Sequence, residues 1–234
     1  MKILTLEGLL NEINADIAWR KKEIAEFDTL RLSNKNTGCL ERACFVMLCA
    51  HFEGSIRFAS NAYIAFISGQ KIKGSDLKLE INAIAVRKKK HQLFSHTGAK
   101  KVKISSVLEV LKLYNEIANG FFYIKMSEDD LLPEIDEKDP ALPTEGNPTP
   151  DVLREIAEIL GLDYDSMFKM KESFINSELL NVRHSIAHGE RRPIKHSEFE
   201  DAKRFVLRIM DDFSSAIIEA ATENAHMKIS SKNN

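Results

Sequence analysis

The chain has 234 residues, 44% hydrophobic and 29% charged, with a formal net charge of −2 and a pI near 6.4. That is enough apolar chain for one well-filled domain, and it excludes an intrinsically disordered protein and nucleic-acid binding by bulk positive charge. No apolar run reaches the roughly 20 residues that span a bilayer, and the opening apolar run, broken by Glu7, does not read as a signal peptide, so a cytoplasmic location without a membrane partner is expected.

The pattern is helical from the start. Over residues 5–31, Leu6, Leu9, Leu10, Ile13, Ile17, Ile24 and Phe27 recur at helical spacings. "SNKNTG" breaks the pattern. A second, longer helix is predicted over 39–68, with Leu40, Ala43, Cys44, Met47, Leu48, Phe52, Ile56, Ala59, Tyr63 and Phe66 as its apolar set. A helix apolar over so much of its circumference belongs in the middle of a bundle. Cys39, Cys44 and Cys49 lie five apart on it, which turns neighbours about 140° from each other. They form neither a metal face nor a disulfide set and read as small buried hydrophobes in a reducing compartment.

Residues 69–149 read as an excursion from that bundle, without enough periodicity for a core of their own. It holds a basic stretch, "RKKKHQLFSHTGAKKVK", with seven Lys/Arg in residues 87–103. A helix is predicted at 104–118, and "GFFYIK" reads as a short extended piece. Residues 127–150 carry five of the six prolines among many acidic residues, the composition of an irregular surface segment. The whole, 1–234, is read as a single all-α domain with its bundle core at 5–68 and 150–225.

Regular structure returns at "TPDVLREIAEILGLD", with Pro150 at a helix start and Gly161 at its end. One continuous helix is predicted over 164–188, with Met167, Met170, Phe174, Ile175, Leu179, Leu180 and Ile186 buried and Gly189 and Pro193 stopping it. Ser197 and Glu200 form a capping box for the last helix, which runs through Phe199, Ala202, Phe205, Val206, Ile209, Met210, Phe213, Ala216 and Ile217 to about 225. The tail "HMKISSKNN" is expected to be loose.

The chemistry concentrates in "LLNVRHSIAHGERRP", residues 179–193. His184 and His188 share a helical face, and that spacing can hold zinc, but Ser185 stands where a zinc-protease helix carries glutamate. Ser185 and His188 could pair as nucleophile and base, yet no strand–turn–glycine setting surrounds the serine. The ordinary reading is electrostatic: arginine and histidine complement the negative end of a helix. The fourth reading is metal-free cleavage of RNA. The 2′-hydroxyl is the nucleophile, an imidazole moves protons near neutrality, and a guanidinium fork holds the phosphate. Arg183 and His188, however, point about 140° apart on a straight helix. Either the helix unwinds at His188, or two copies meet across a two-fold axis.

"NVRHSIAHGE" resembles the signature of the HEPN superfamily: arginine, a polar residue, three to five more residues, then histidine. Arg183, His184 and His188 match. "LCAHFEGSIRFASNAY", residues 48–63, resembles the central helix of the MAE-type or RiboL-PSP-type HEPN branch, with Ala50, His51, Phe52, Glu53 and Gly54 as the matching residues. "GNPTPDVLREIAEILGLD" shares that branch's character.

The resemblance implies an all-α, homodimeric, metal-independent endoribonuclease without cofactor, its composite active site built from two copies of the motif. His188 would relay protons, Arg183 hold the scissile phosphate and His184 orient it, leaving a 2′,3′-cyclic phosphate and a 5′-hydroxyl. Glu53, His51, Asn181, Ser185 and Glu190 are the supporting candidates. Glu53 and Arg57 could equally be a simple i, i+4 pair. Gly54 costs its helix about 1 kcal/mol relative to alanine, which suggests close approach of another backbone or a ligand. Arg57, Arg87, Lys88, Lys89, Lys90, Lys100 and Lys101 are candidates for RNA phosphate contact. The family further implies a toxin or phage-defence effector with a cognate antitoxin. The alternative is a non-catalytic HEPN module that binds RNA, a nucleotide or a protein partner.

Overall fold

A computed structural model of the chain describes residues 3–34, 38–84, 107–108, 142 and 147–228. Among these, every regular element is helical, apart from one isolated antiparallel bridge between Leu77 and Met227. No helix among them is long and apolar enough to cross a membrane. The stretch 87–103 and the predicted helix at 104–118 (save Val107 and Leu108), with "GFFYIK", lie outside the described residues.

The first helix, α1, spans Leu6–Ser33, and the Thr5 hydroxyl caps it by accepting from Gly8 N at 3.0 Å. Its buried line is Leu9, Ile13, Arg20, Ile24, Asp28 and Arg31. Three of those six are charged, where the sequence pattern marks only apolar positions. The second, α2, spans Gly38–Gly69 and lies between α1 and the last helix. From Ala59 to Ile67 every residue is buried, as a central helix requires. Its first half is different. Ala43, Met47 and Ala50 are exposed, so two of the expected core positions, Ala43 and Met47, face outward. Only part of the circumference is covered there. Cys44 and Cys49 are buried and Cys39 is exposed, all three as free thiols.

The first residues of the expected excursion are built into the core. A 3₁₀ turn at Gly74–Asp76 leads to a short helix at 79–84, with Leu77, Ile81, Ala83 and Ile84 buried. The end of the chain is stitched to it: Lys78 N donates to His226 O at 2.9 Å, and Lys228 N donates to Asp76 O at 2.8 Å. The tail is therefore not loose at its beginning. His226 is 1% exposed, its ring edge-on to Tyr63 and Phe66.

The third helix, α3, spans Pro150–Leu160. Thr149 caps it through its hydroxyl, and Gly161 ends it at φ 71°, a conformation that favours glycine.

The predicted single helix over 164–188 is broken. It runs as α4 (Tyr164–Met167), a 3₁₀ turn (Lys169–Lys171), α5 (Glu172–Phe174), a π-helical segment (Ile175–Leu180) and α6 (Asn181–Ala187). Phe168 takes the core position, packed against Tyr164 and Phe213, and Met170, expected inside, is 94% exposed. In the π segment the backbone bonds skip five residues, as from Asn181 N to Asn176 O. Ile175, Leu179 and Val182 stay buried through it.

The last helix, α7, spans His196–Thr222. It starts earlier than the expected Ser197–Glu200 box, and Ser197 lies exposed inside it. Glu198 is the residue that reaches back, accepting from Lys195 N at 3.4 Å and from Arg192 at 2.6 Å. A buried ion cluster ties α7 to α1. Arg31 donates to Asp28 at 2.7 Å and to Glu200 at 2.6 Å, and Lys203 reaches both carboxylates at 2.6 Å. The Arg31 guanidinium also lies 4.1 Å from the centre of the Phe199 ring.

Candidate functional site

The motif occupies the last turn of α6. Gly189 adopts φ 83°, and a Cβ there would meet nothing within 4 Å, so the glycine serves backbone conformation and not packing. Gly189 N donates to Ile186 O and Glu190 N to Ser185 O, both at 3.0 Å. These two bonds are the Schellman ending of a helix. They place His188 at the cap, its N–H still bonded to His184 O at 3.0 Å. The backbone thus keeps His188 one turn above His184, and the two rings stand 4.2 Å apart at an interplanar angle of 55°. Both histidines are exposed.

Arg183 is turned elsewhere. It is half-buried and donates through Nη1 to the side-chain carbonyl of Asn147, just ahead of α3. Its charge is also felt at Cys49 of α2, whose thiol burial pushes up to about 12 while Arg183 pulls the other way. The Cys49 thiol is itself 3.9 Å from Leu179 O. The middle of α2 therefore backs the π segment and the guanidinium. Glu53, one turn beyond Cys49, continues that face of α2 and is half-buried.

His51 lies on a different side. Two residues along a helix is about 200°, so His51 turns away from Cys49 and Glu53 and toward α1. Its ring is 3% exposed, stacked on Phe27 at 5.8 Å and edge-on to Trp19 at 5.6 Å. Glu23 Oε2 comes within 3.1 Å of Nε2 but out of line for a hydrogen bond, so neither ring nitrogen has a hydrogen-bond partner. Burial holds its pKa below the usual histidine value, against the pull of Glu23. Gly54 also faces α1. A Cβ on it would come 2.5 Å from Arg20 Nη1. What approaches Gly54 within the chain is therefore a side chain, and not the backbone or ligand expected from the sequence. Asp16 grips that guanidinium at 2.7 and 2.9 Å, and it lies 4.9 Å from the Trp19 ring centre.

Of the other candidates, Asn181 and Glu190 are exposed and Ser185 is half-buried, its carbonyl used by the Schellman ending. Arg57 is exposed on α2. Arg87, Lys88, Lys89, Lys90, Lys100 and Lys101 lie outside the described residues. Among the described residues no group of three or more His, Cys, Asp or Glu is arranged to hold a metal. Asn147 is the site residue that periodicity missed. Its one signal was membership of the "GNPTP" segment ahead of α3.

A family model, RiboL-PSP-HEPN, matches residues 15–219. No curated protein and no solved structure matches the chain.

Proposed function

The chain belongs to the RiboL-PSP-HEPN family, and from that premise we propose that it is a metal-independent endoribonuclease acting through the exposed end of α6. The family suggests nuclease or RNA-binding chemistry. The observation that carries the catalytic reading is the pair of exposed imidazoles, His184 and His188, held ring to ring at 4.2 Å in the turn that follows directly on Arg183. A helix end built only to complement its dipole needs charge, and not two imidazole rings in contact.

In the reaction, His188 takes the proton from the 2′-hydroxyl or delivers one to the departing 5′-oxygen. Arg183 holds the scissile phosphate as charge builds on its oxygens, and His184 orients the phosphate or the other ring. The products are a 2′,3′-cyclic phosphate and a 5′-hydroxyl. The Cα–Cβ bonds of Arg183 and His188 leave the helix about 140° apart, and Arg183 is engaged with Asn147. A second copy of the chain would bring its own histidines to that guanidinium. The exposed Ala43, Met47 and Ala50 of α2 offer an apolar face for such a dimer. A toxin restrained by a cognate protein in the cytoplasm is the biological setting that the family resemblance suggests for such a site.

The test is incubation of the purified chain with total RNA in EDTA, wild type beside His188→Ala, with end-group analysis of the fragments. Cleavage by the wild type alone, leaving cyclic phosphate ends, is the expected result. Cleavage that needs added Mg²⁺ and leaves 5′-phosphates means another mechanism. RNA binding without cleavage means a non-catalytic module. Sedimentation should give a dimer, and full activity from a monomer would rule out the shared site.

A further inference from the structure

The backbone of α6 directs Arg183 and His188 about 140° apart and leaves the arginine the rotamer freedom of its long stem. Arg183 Nη1 donates to Oδ1 of Asn147, 36 positions earlier in the chain. Asn147, in contrast, has a fixed seat. It precedes Pro148, which is buried and which restricts the residue before it to extended backbone. Thr149 N donates to Asn147 O at 2.8 Å. Thr149 in turn caps α3, with Pro150 in the first turn, and α3 is anchored through Leu153, Ile156, Ala157, Ile159 and Leu160. The acceptor that meets Arg183 is therefore carried at the head of a well-anchored helix, on a residue that is itself exposed.

The chemistry of that acceptor matters as much as its place. A guanidinium only donates, so the amide oxygen is the atom that faces it. An amide is also neutral. It fixes the fork without offsetting its charge, whereas a carboxylate at the same point would form an ion pair and leave less positive potential for a phosphate. The Asn147 side chain is not the cap of α3, because the Thr149 hydroxyl fills that place, accepting from Val152 N at 3.3 Å.

Resting on the ribonuclease reading above, we propose that Asn147 is a positioning residue for Arg183. Its amide oxygen holds the guanidinium ready for the scissile phosphate before RNA binds, so that the side chain need not be ordered during the reaction. The head of α3 thereby belongs to the site at the end of α6.

The test compares Asn147→Ala and Asn147→Asp with wild type in the full chain. Asn147→Ala removes the anchor and keeps the charge, so kcat is expected to fall by about 10- to 10²-fold with KM little changed. Asn147→Asp keeps the anchor and offsets the charge. It should weaken binding of a 2′-O-methyl RNA oligonucleotide, which has no nucleophile, several-fold more than the alanine does. A purely structural residue would instead lower the urea midpoint, and both variants are expected to match wild type there. A second readout needs no cleavage. In ¹⁵N spectra the Arg183 Nη signals should be separate in wild type and in Asn147→Asp, and averaged in Asn147→Ala, where the guanidinium loses its anchor. A wild type that binds RNA without cutting it ends the ribonuclease reading, and the Nη signals then decide the positioning by themselves. The proposal is overturned if Asn147→Ala leaves kcat or the Nη signals as in wild type, or if the two variants lose activity and stability alike.

Discussion

Two charged regions of this molecule invite opposite readings. At the junction of α1 and α7, Arg31, Asp28, Glu200 and Lys203 form four ion pairs at 2.6–2.7 Å around a guanidinium side chain that is 2% exposed. At the end of α6, Arg183, His184 and His188 carry comparable chemistry, yet both rings stand in solvent. The first set is saturated by its own chain, so a ligand could bind there only by breaking it. The second is held in place by backbone bonds and by one another, which leaves its outer edges for something else. A sequence shows charges in both places. Burial and saturation separate structure from candidate site.

The largest effect should therefore fall on activity at one place and on stability at the other. His188→Ala is expected to slow cleavage about 10²–10⁴-fold, with a urea midpoint unchanged from wild type. A well-folded variant that still cleaves would erase the distinction. Arg31→Ala should do the reverse. Removing one member of a buried pair costs about 3–5 kcal/mol, and because Lys203 still serves both carboxylates the low end, about 3 kcal/mol, is expected in denaturant unfolding. Cleavage per folded molecule should stay the same.

Gly54→Ala sharpens the comparison at α2. The new methyl would meet the Arg20 guanidinium and push it from Asp16, so a loss of about 1–3 kcal/mol is expected in thermal or urea unfolding, as for overpacking elsewhere. No loss would mean that Arg20 can swing clear. The pH dependence comes next. Burial holds the pKa values of His51 and His226 down, opposed by Glu23 in the first and reinforced by Lys78 in the second. Both rings stay neutral in the fold and charge more readily in the unfolded chain. Their share of stability is thus full above about pH 6.5 and is lost as pH falls below it. At Asp28 burial works to raise the pKa, but Lys203 and Arg31 outweigh it and the value is lowered. Its share is lost only as pH drops below about 3.9. Urea midpoints across the acid range should fall in those two stages, and Asp28→Asn should remove the lower one alone. The smallest effect is expected at Met170, 94% exposed, where Met170→Ser should change stability by no more than about 0.5 kcal/mol.

Much of this fold was legible where the signals are local. Thr149, Pro150 and Gly161 fix α3 through capping chemistry that acts within a few residues. The apolar recurrence of Leu9, Ile13 and Ile24 gives α1, and the resemblance at Arg183, His184 and His188 agrees with the family match. What escaped depends on distant partners. Arg31 looks like a surface residue until Glu200 and Lys203 arrive from the far end of the chain. Asn147 has no periodic signal because its contact is with Arg183, 36 positions on. His51 and Glu53 look like neighbours in a motif, but the helix sends them to opposite sides. The break at Phe168 was invisible because both Phe168 and Met170 are apolar, and only tertiary packing against Phe213 chooses between them.

The π segment at Ile175–Leu180 has a consequence for length. An α-helix turns about 100° per residue, so losing one residue from an ordinary helix swings everything beyond it by more than a quarter turn. A π segment carries one residue more per stretch than α winding needs. Removing a residue there lets the backbone tighten into ordinary winding, with the end of α6 still facing as before. Ahead of the two histidines the chain thus holds a loop of slack, a place where it can shorten by one without turning the rings away.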